Sequence, residues 1–212
     1  MSPTLDRLAT SLLYLCTDAR QARGDFEAFI SAAYRGGVDI IQLRDKGIDA
    51  VTELQVLEVL AEVADRYDSL WAVNDRADIA ALSSAPIIHV GQDDLSAQQV
   101  RQLVVDSTLV GRSSHSFEEA LNESTDPKVD YFAVGPCWPT PTKPGRSAPG
   151  LPLVSQVAEL APSKPWFAIG GIDERNLDQV LGAGAKRIVV VRAITEAEDP
   201  ERTAAALKRR LG

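Results

Sequence analysis

In the segment DIIQLRDK (39–46), Gln42, Arg44 and Lys46 stand two residues apart. If the segment is an extended strand, that spacing puts all three on one face and Ile41 and Leu43 on the other. An amide and two cations on one face suit an anionic substrate, and the planar Arg44 guanidinium can grip two phosphate oxygens together. The bland alternative is a surface ion-pair set with Asp45 and Asp49. Three polar residues aligned on an inward strand face favour the functional reading. A second set is acidic: Asn74 and Asp75 close one apolar run, and GQDD (91–94) closes the next. An octahedral magnesium site takes one or two protein carboxylates and completes its shell with phosphate oxygens and water. Asp75 and Asp94 therefore form a pair able to hold one Mg²⁺ per subunit. Taken singly, either aspartate could serve only as a helix cap, Asp94 most of all because it precedes Leu95 and Ser96.

The third feature is the segment GPCWPTPTKPGRSAPG (135–150), where Thr140, Thr142 and Lys143 lie among Pro139, Pro141 and Pro144. Proline lowers the entropy cost of ordering a loop, and a loop this long usually carries function, so the segment reads as a cover for something negative. IGGI (169–172) and VVVRAI (189–194) end two further apolar runs and supply Gly171, Val191 and Arg192. Glycine before a helix start lets backbone amides approach a phosphate. The histidines are weaker signals. His89 lies inside an apolar run with no second ligand at metal spacing, so it reads as a packed residue. His115, in GRSSHSFEEA, either acts on a proton or orients its loop. Ser113 in the same segment can hydrogen-bond a substrate heteroatom, whereas a nucleophilic serine needs an adjacent base that the sequence cannot show. Cys137 reads as a packing residue.

Eight short, Val- and Ile-rich runs must position these groups: 11–16, 38–43, 69–74, 86–91, 108–111, 129–134, 165–170 and 186–191. They are nearly continuous rather than alternating, as parallel strands covered on both faces are. Amphipathic stretches separate them, the clearest at 24–35, 50–67, 96–105, 151–160, 173–182 and 199–211. Ser96, Ser116 and Asp173 stand where helix N-caps belong. Eight strand and helix units in 212 residues favour a closed (β/α)₈ barrel, a TIM barrel, over an open doubly wound sheet. With no linker or low-complexity tract, residues 1–212 read as one domain. In such a barrel the residues just after the strand ends form the active site, and the polar sets above fall there.

Composition bounds the partners. With 22 Lys and Arg against 30 Asp and Glu the net charge is −8, which disfavours nucleic acid. Two cysteines are too few for a disulfide framework or a cysteine metal cluster, and fit a reducing cytoplasm. No stretch approaches the roughly 18 apolar residues of a membrane span, and the N-terminal residues lack a basic leader with an apolar core. The expectation is a soluble, unexported chain acting on small phosphorylated molecules, compatible with a homo-oligomer.

Taken in order, YLCTD, GGVDIIQLRDK, NDRADIA, HVGQDDL, GRSSHSFEEA, VGPCWPTPTKPGR, AIGGI and VVVRAI resemble the successive motifs of the thiamine-phosphate synthase family, over nearly the whole chain. The combination of TPTKPG with QLRDK and GQDD is specific, whereas AIGGI is shared by many phosphate-binding barrels. The resemblance implies condensation of a hydroxymethylpyrimidine diphosphate with a thiazole phosphate, giving thiamine phosphate and pyrophosphate. It assigns Gln42, Arg44, Lys46, Asn74, Ser113 and Lys143 to the pyrimidine diphosphate. Thr140, Thr142, Gly171, Val191 and Arg192 fall to the thiazole phosphate, and Asp75 and Asp94 to Mg²⁺. Of these, Arg44, Lys46, Ser113 and Lys143 would act in catalysis. It further implies that the pyrimidine leaves as a stabilised cation, so that no protein nucleophile is needed. Two departures stand out. ALSSAPIIHV has Ser-Ala-Pro-Ile where many members read Gly-Ala-Asp-Gly, and GAKRIVV has Lys-Arg before the last run. Both precede a strand and bear on stability rather than on the site. Trp138 keeps an aromatic where one is usual.

Three rivals have distinguishing features. A thiazole tautomerase of the same superfamily has little need of two metal carboxylates. A sugar-phosphate epimerase or aldolase needs a carboxylate or lysine base inside the barrel. A non-catalytic binder of thiazole phosphate would not need to retain Asp75 and Asp94.

Overall fold

A computed structural model describes residues 3–139 and 148–212. Eight parallel strands close into a barrel in sequence order: β1 (Leu13–Thr17), β2 (Ile40–Leu43), β3 (Leu70–Asn74), β4 (Ile87–Val90), β5 (Leu109–Ser114), β6 (Tyr131–Val134), β7 (Trp166–Ile169) and β8 (Ile188–Val190). β8 returns to β1 through the register Tyr14 opposite Val189. All eight apolar runs therefore become strands.

The helices are α1 (Pro3–Thr10), α2 (Phe26–Arg35), α3 (Ala50–Arg66), α4 (Ala77–Leu82), α5 (Ala97–Arg101), α6 (Phe117–Thr125), α7 (Gly150–Leu160), α8 (Leu177–Gly182), α9 (Arg192–Thr195) and α10 (Pro200–Leu211). Ser96 caps α5 in a full capping box with Gln99, and Ser116 accepts from the Glu119 amide at the start of α6. These bonds satisfy amides that a helix start leaves without partners. Asp173 does not cap α8. Its carboxylate accepts from the Arg175 amide in a preceding turn, and the helix begins only at Leu177. The stretch read as a helix over 96–105 is helical only to Arg101.

Alternation along the strands makes two cores. The smaller fills the barrel with inward residues, among them Tyr14, Ile40, Leu70, Ile87, Leu109, Tyr131, Phe167 and Val189. The larger lies between strands and helices and includes Leu15, Ile41, Leu43, Val73, Ile88, Val110 and Phe132. Each such side chain contributes about 1.5–3 kcal/mol on full burial. α1 was not legible as an element. It brings Leu8 to the inner cluster, so the helix closes the end of the barrel opposite the site. Asp39 ties the same end together: it accepts from the Leu12 and Leu13 amides and pairs with Lys208 of α10.

Both departures from the family pattern fall at this end. Arg187 donates to the carbonyls of Ala9 at 2.7 Å and Ser11 at 3.1 Å, bracing the end of α1 against β8. Ser84, where glycine is usual, takes a left-handed conformation with φ of 54°, which costs a residue with a Cβ about 1–2 kcal/mol.

Candidate active site

At the C-terminal ends of the strands lies a cavity of about 360 Å³. Its lining includes Gln42, Arg44, Lys46, Asn74, Asp75, Asp94, Ser113, Gly171, Val191 and Arg192. The fold thus brings together every candidate residue that falls among the described ones. Thr140, Thr142 and Lys143 lie outside the described residues.

Strand alternation places only part of this set. Gln42 points inward from β2, but β2 ends at Leu43, so Arg44 and Lys46 reach the cavity from the following loop and not from a shared strand face. Ser113 belongs to β5 itself, which runs three residues past Gly111, to Ser114. A run of Gly, Arg and Ser hides that extension, because none of these residues favours strands.

Beneath the mouth, polar side chains form one chain of hydrogen bonds across the barrel. Gln42 Nε2 donates to Asn74 Oδ1 at 2.7 Å, and its Oε1 accepts from Tyr14 Oη at 3.0 Å and Cys16 Sγ at 3.3 Å. Tyr14 Oη lies 3.2 Å from Tyr131 Oη, which lies 3.1 Å from His89 Nδ1, and His89 Nε2 lies 3.0 Å from Ser113 Oγ. A phenol has one proton to give. Since Tyr14 gives its proton to Gln42, Tyr131 donates to Tyr14 and His89 Nδ1–H donates to Tyr131. With Nδ1 carrying a proton, a neutral ring would accept the Ser113 hydroxyl proton at Nε2. His89 is accordingly packed, as its sequence position implies, and it also shapes the cavity floor. A base does stand beside Ser113, but a phenol rather than a carboxylate faces its other nitrogen. The pair therefore orients the hydroxyl more than it activates it.

At the mouth, Lys46 Nζ pairs with Asp75 Oδ2 at 2.8 Å, and Gly91 N donates to Asp94 Oδ2 at 2.9 Å. Asp75 sits at φ 61°, a left-handed conformation that Asp and Asn tolerate better than most residues. Any Cβ at position 91 would stand 2.8 Å from that same Asp94 oxygen. The carboxylates rise from the ends of neighbouring strands into one cavity. Among the described residues no three His, Cys, Asp or Glu side chains come together as a metal group.

Opposite them, Gly170 and Gly171 adopt φ of 104° and 71°, and Asn176 Nδ2 holds the Gly171 carbonyl at 2.8 Å. Val191 and Arg192 follow at the start of α9. A Cβ on Gly170 would stand 2.5 Å from Pro136 Cβ, so glycine is needed where the β6 and β7 loops meet. His115 Nδ1 donates to the Gly135 carbonyl at 2.7 Å, and its backbone amide to Glu119 Oε2 at 2.5 Å. Its Nε2 is buried and has no hydrogen-bond partner among the described residues, and the ring lines the cavity. The ring is thus tied to a neighbouring loop, as one of its two readings expects, and turns its other nitrogen toward no described partner.

Sequence reasoning missed Tyr14, Cys16, Tyr131, Ala133, Ile169 and Val189 in the lining, together with Asp173, Arg175 and Glu196 near the mouth. Counting every second residue along β1, β6, β7 and β8 would have found the first group. Trp138 packs against the outer core. Cys137 is buried as expected. Burial pushes its thiol to about 12 and also that of Cys16, which the nearby Arg44 charge only partly offsets. With folded values above the unfolded 9.0, both thiols stay neutral in either state below about pH 9. Between there and the folded value only the unfolded chain loses these protons. We expect urea stability to fall as pH rises above about 9, and native protein near neutral pH to leave both thiols unmodified by a thiol reagent that labels them after denaturation. Rapid native labelling of either cysteine contradicts this.

A family model described as thiamine monophosphate synthase matches residues 13–194. A thiamine-phosphate synthase of Thermobifida fusca is 58% identical over 205 residues, covering 97% of this chain and 94% of that one. One from Streptomyces avermitilis is 54% identical over 97% of this chain and 96% of its own length. Among solved structures, thiamine phosphate pyrophosphorylase from Pyrococcus furiosus superposes with a TM-score of 0.84 at 27% identity, covering 98% of this chain and 96% of that one. 3-Hexulose-6-phosphate synthase, at TM-score 0.64 and 18% identity over 95% of this chain and 100% of its own, shares the barrel alone. On sequence, fold and the order of its motifs, this chain belongs to the thiamine monophosphate synthase family.

Proposed function

We propose that the protein joins 4-amino-2-methyl-5-hydroxymethylpyrimidine diphosphate to 4-methyl-5-(2-hydroxyethyl)thiazole phosphate, forming thiamine phosphate and releasing pyrophosphate. The observation that carries this reading is one cavity holding two cations and two carboxylates on the β2–β4 side and a glycine-rich turn with a helix start on the β7–β8 side. Two phosphorylated substrates can then meet over a common floor.

The donor set fits magnesium. Asp75 and Asp94 offer hard oxygens only, and two carboxylates leave the remaining positions to diphosphate oxygens and water. Bound there, the ion supplies positive charge against the leaving pyrophosphate. Arg44 and Lys46, with Lys143, bind the diphosphate oxygens and stabilise the charge that builds on them. Gln42, Asn74 and Ser113 hold the pyrimidine. Gly171, Val191 and Arg192 bind the thiazole phosphate, chiefly through backbone amides, and Thr140 and Thr142 complete that subsite. Both thiols are held protonated by burial, and the imidazole beside Ser113 faces the Tyr131 phenol with its other nitrogen. Both features suit bond formation between the two substrates without a covalent enzyme intermediate. A tautomerase would use the thiazole phosphate side alone, which leaves Asp75 and Asp94 unexplained.

The same reading places the protein in the cytoplasm, where Cys16 and Cys137 remain free thiols, and the net charge of −8 argues against nucleic acid as a partner. Purified protein with Mg²⁺ should release pyrophosphate only when both substrates are present, and a chelator should stop it. No release with both present, or turnover of a sugar phosphate instead, rejects the reading.

A further inference from the structure

The turn that carries Asp94 has little burial to hold it. Asp93, Asp94 and Leu95 are exposed, and the turn closes on itself through the Gly91 amide to the Asp94 carboxylate and a longer bond from the Asp94 amide to the Gly91 carbonyl. A guanidinium grips it from beneath. Arg112, on the outward face of β5 and only 8% exposed, sends Nη1 to the carbonyls of Gly91 and Leu95, each at 3.1 Å. Those two carbonyls are the two ends of the turn. Its Nη2 donates to Gln92 Oε1 at 3.1 Å, and its Nε faces Glu123 Oε1 of α6 at 3.3 Å. Gln92 closes the network by donating from Nε2 to the Ser113 carbonyl at 2.6 Å and to Glu123 Oε1 at 3.2 Å.

We propose that Arg112, seated on Glu123, is a positioning residue that sets Asp94 and Ser113 in register for the metal-bound diphosphate. A guanidinium is suited to this task because its donors lie in one rigid plane, so fixing one carbonyl fixes the direction of the others. The arrangement costs a buried ion pair, which contributes little or nothing to net stability compared with apolar residues of the same volume. A function in holding the turn accounts for its presence. Groups that orient metal ligands from behind typically change metal affinity about 10- to 100-fold when removed.

The inference rests on Asp94 being a metal ligand, and the test separates the two ideas. Mn²⁺, an EPR-visible substitute for Mg²⁺, is titrated into the whole protein with inorganic pyrophosphate present. The parent is compared with Arg112→Met/Glu123→Leu, with Arg112→Lys and with Asp94→Asn. The apolar pair removes the grip on the turn while filling the space, so its melting temperature should stay close to the parent's and its Mn²⁺ affinity should fall about 10- to 100-fold. Arg112→Lys keeps the charge beside Glu123 but cannot reach every carbonyl at once, and should give a smaller loss. If the double variant fails to fold, Arg112→Lys alone decides by the same criterion. Parent-like Mn²⁺ affinity in a folded Arg112 variant, with Asp94→Asn impaired, overturns the positioning role and leaves the metal site standing. Parent-like affinity in Asp94→Asn overturns the metal reading and this inference with it.

Discussion

Asp75→Asn and Asp94→Asn are each expected to lower pyrophosphate release by about 100-fold or more at fixed Mg²⁺, while the folded protein keeps nearly its full stability. A metal ion placed against developing phosphate charge is worth several kcal/mol, and each tenfold in rate corresponds to about 1.36 kcal/mol. Asparagine is the informative replacement. At position 75 the backbone holds φ at 61°, where alanine would add strain unrelated to the metal. At position 94 the amide oxygen can still accept from the Gly91 amide, so the turn survives. The ion pair lost at Asp75 involves a Lys46 side chain that is 62% exposed, and such pairs contribute at most about 1 kcal/mol. Steady-state rates and urea midpoints measured on the same preparations check both halves. Turnover within tenfold of the parent, or unfolding in step with the loss of rate, would make these carboxylates structural.

The barrel was legible because it is written in a local code. Parallel strands buried on both faces must be short and apolar, and eight such runs spaced by amphipathic stretches leave few other architectures. The site was legible to the extent that it departs from that code. Gln42, Asn74 and Ser113 are polar residues at inward positions near strand ends, Asp75 directly follows β3, and Asp94 and Gly171 lie in the loops after β4 and β7. Arg44 and Lys46 were found on an argument that the strand end at Leu43 does not support; the loop brings them to the cavity all the same. Other features depend on partners distant in sequence. Nothing near Tyr131 announces that its hydroxyl lies between Tyr14 and His89, and nothing near Arg112 shows the two carbonyls that it grips. Helix starts failed where turn chemistry competes: Asp173 has the right type for a cap, but its carboxylate is engaged by the Arg175 amide and guanidinium. α1 was missed because an eight-residue helix with one buried leucine offers too few turns for periodicity to register.

Phe167→Ala should produce the largest loss of stability of any single change considered for this protein, together with a loss of activity that its position would not suggest. Phe167 has no exposed surface and is not part of the cavity lining. It stands edge-on to Tyr14, with ring centroids 5.6 Å apart, and to Tyr131 at 5.9 Å. Removing a buried phenylalanine side chain typically costs about 3–5 kcal/mol, because the void left behind is only partly filled by relaxation. In a chain of this size that corresponds to a fall in melting temperature of roughly 6–20 °C. The void would open directly against the two phenols whose hydroxyls link Gln42 to His89 and Ser113. Once either ring can tilt, the hydrogen bonds that orient Gln42 and Ser113 lose their geometry, and binding of the pyrimidine should weaken before the metal site is disturbed. Phe167→Leu, which refills most of the space, should recover the greater part of both losses. Thermal melts and KM for the pyrimidine diphosphate, measured for both variants, test the link. If Phe167→Ala melts within about 1 kcal/mol of the parent, or loses stability with KM unchanged, the aromatic packing beneath the floor does not hold the polar chain in place.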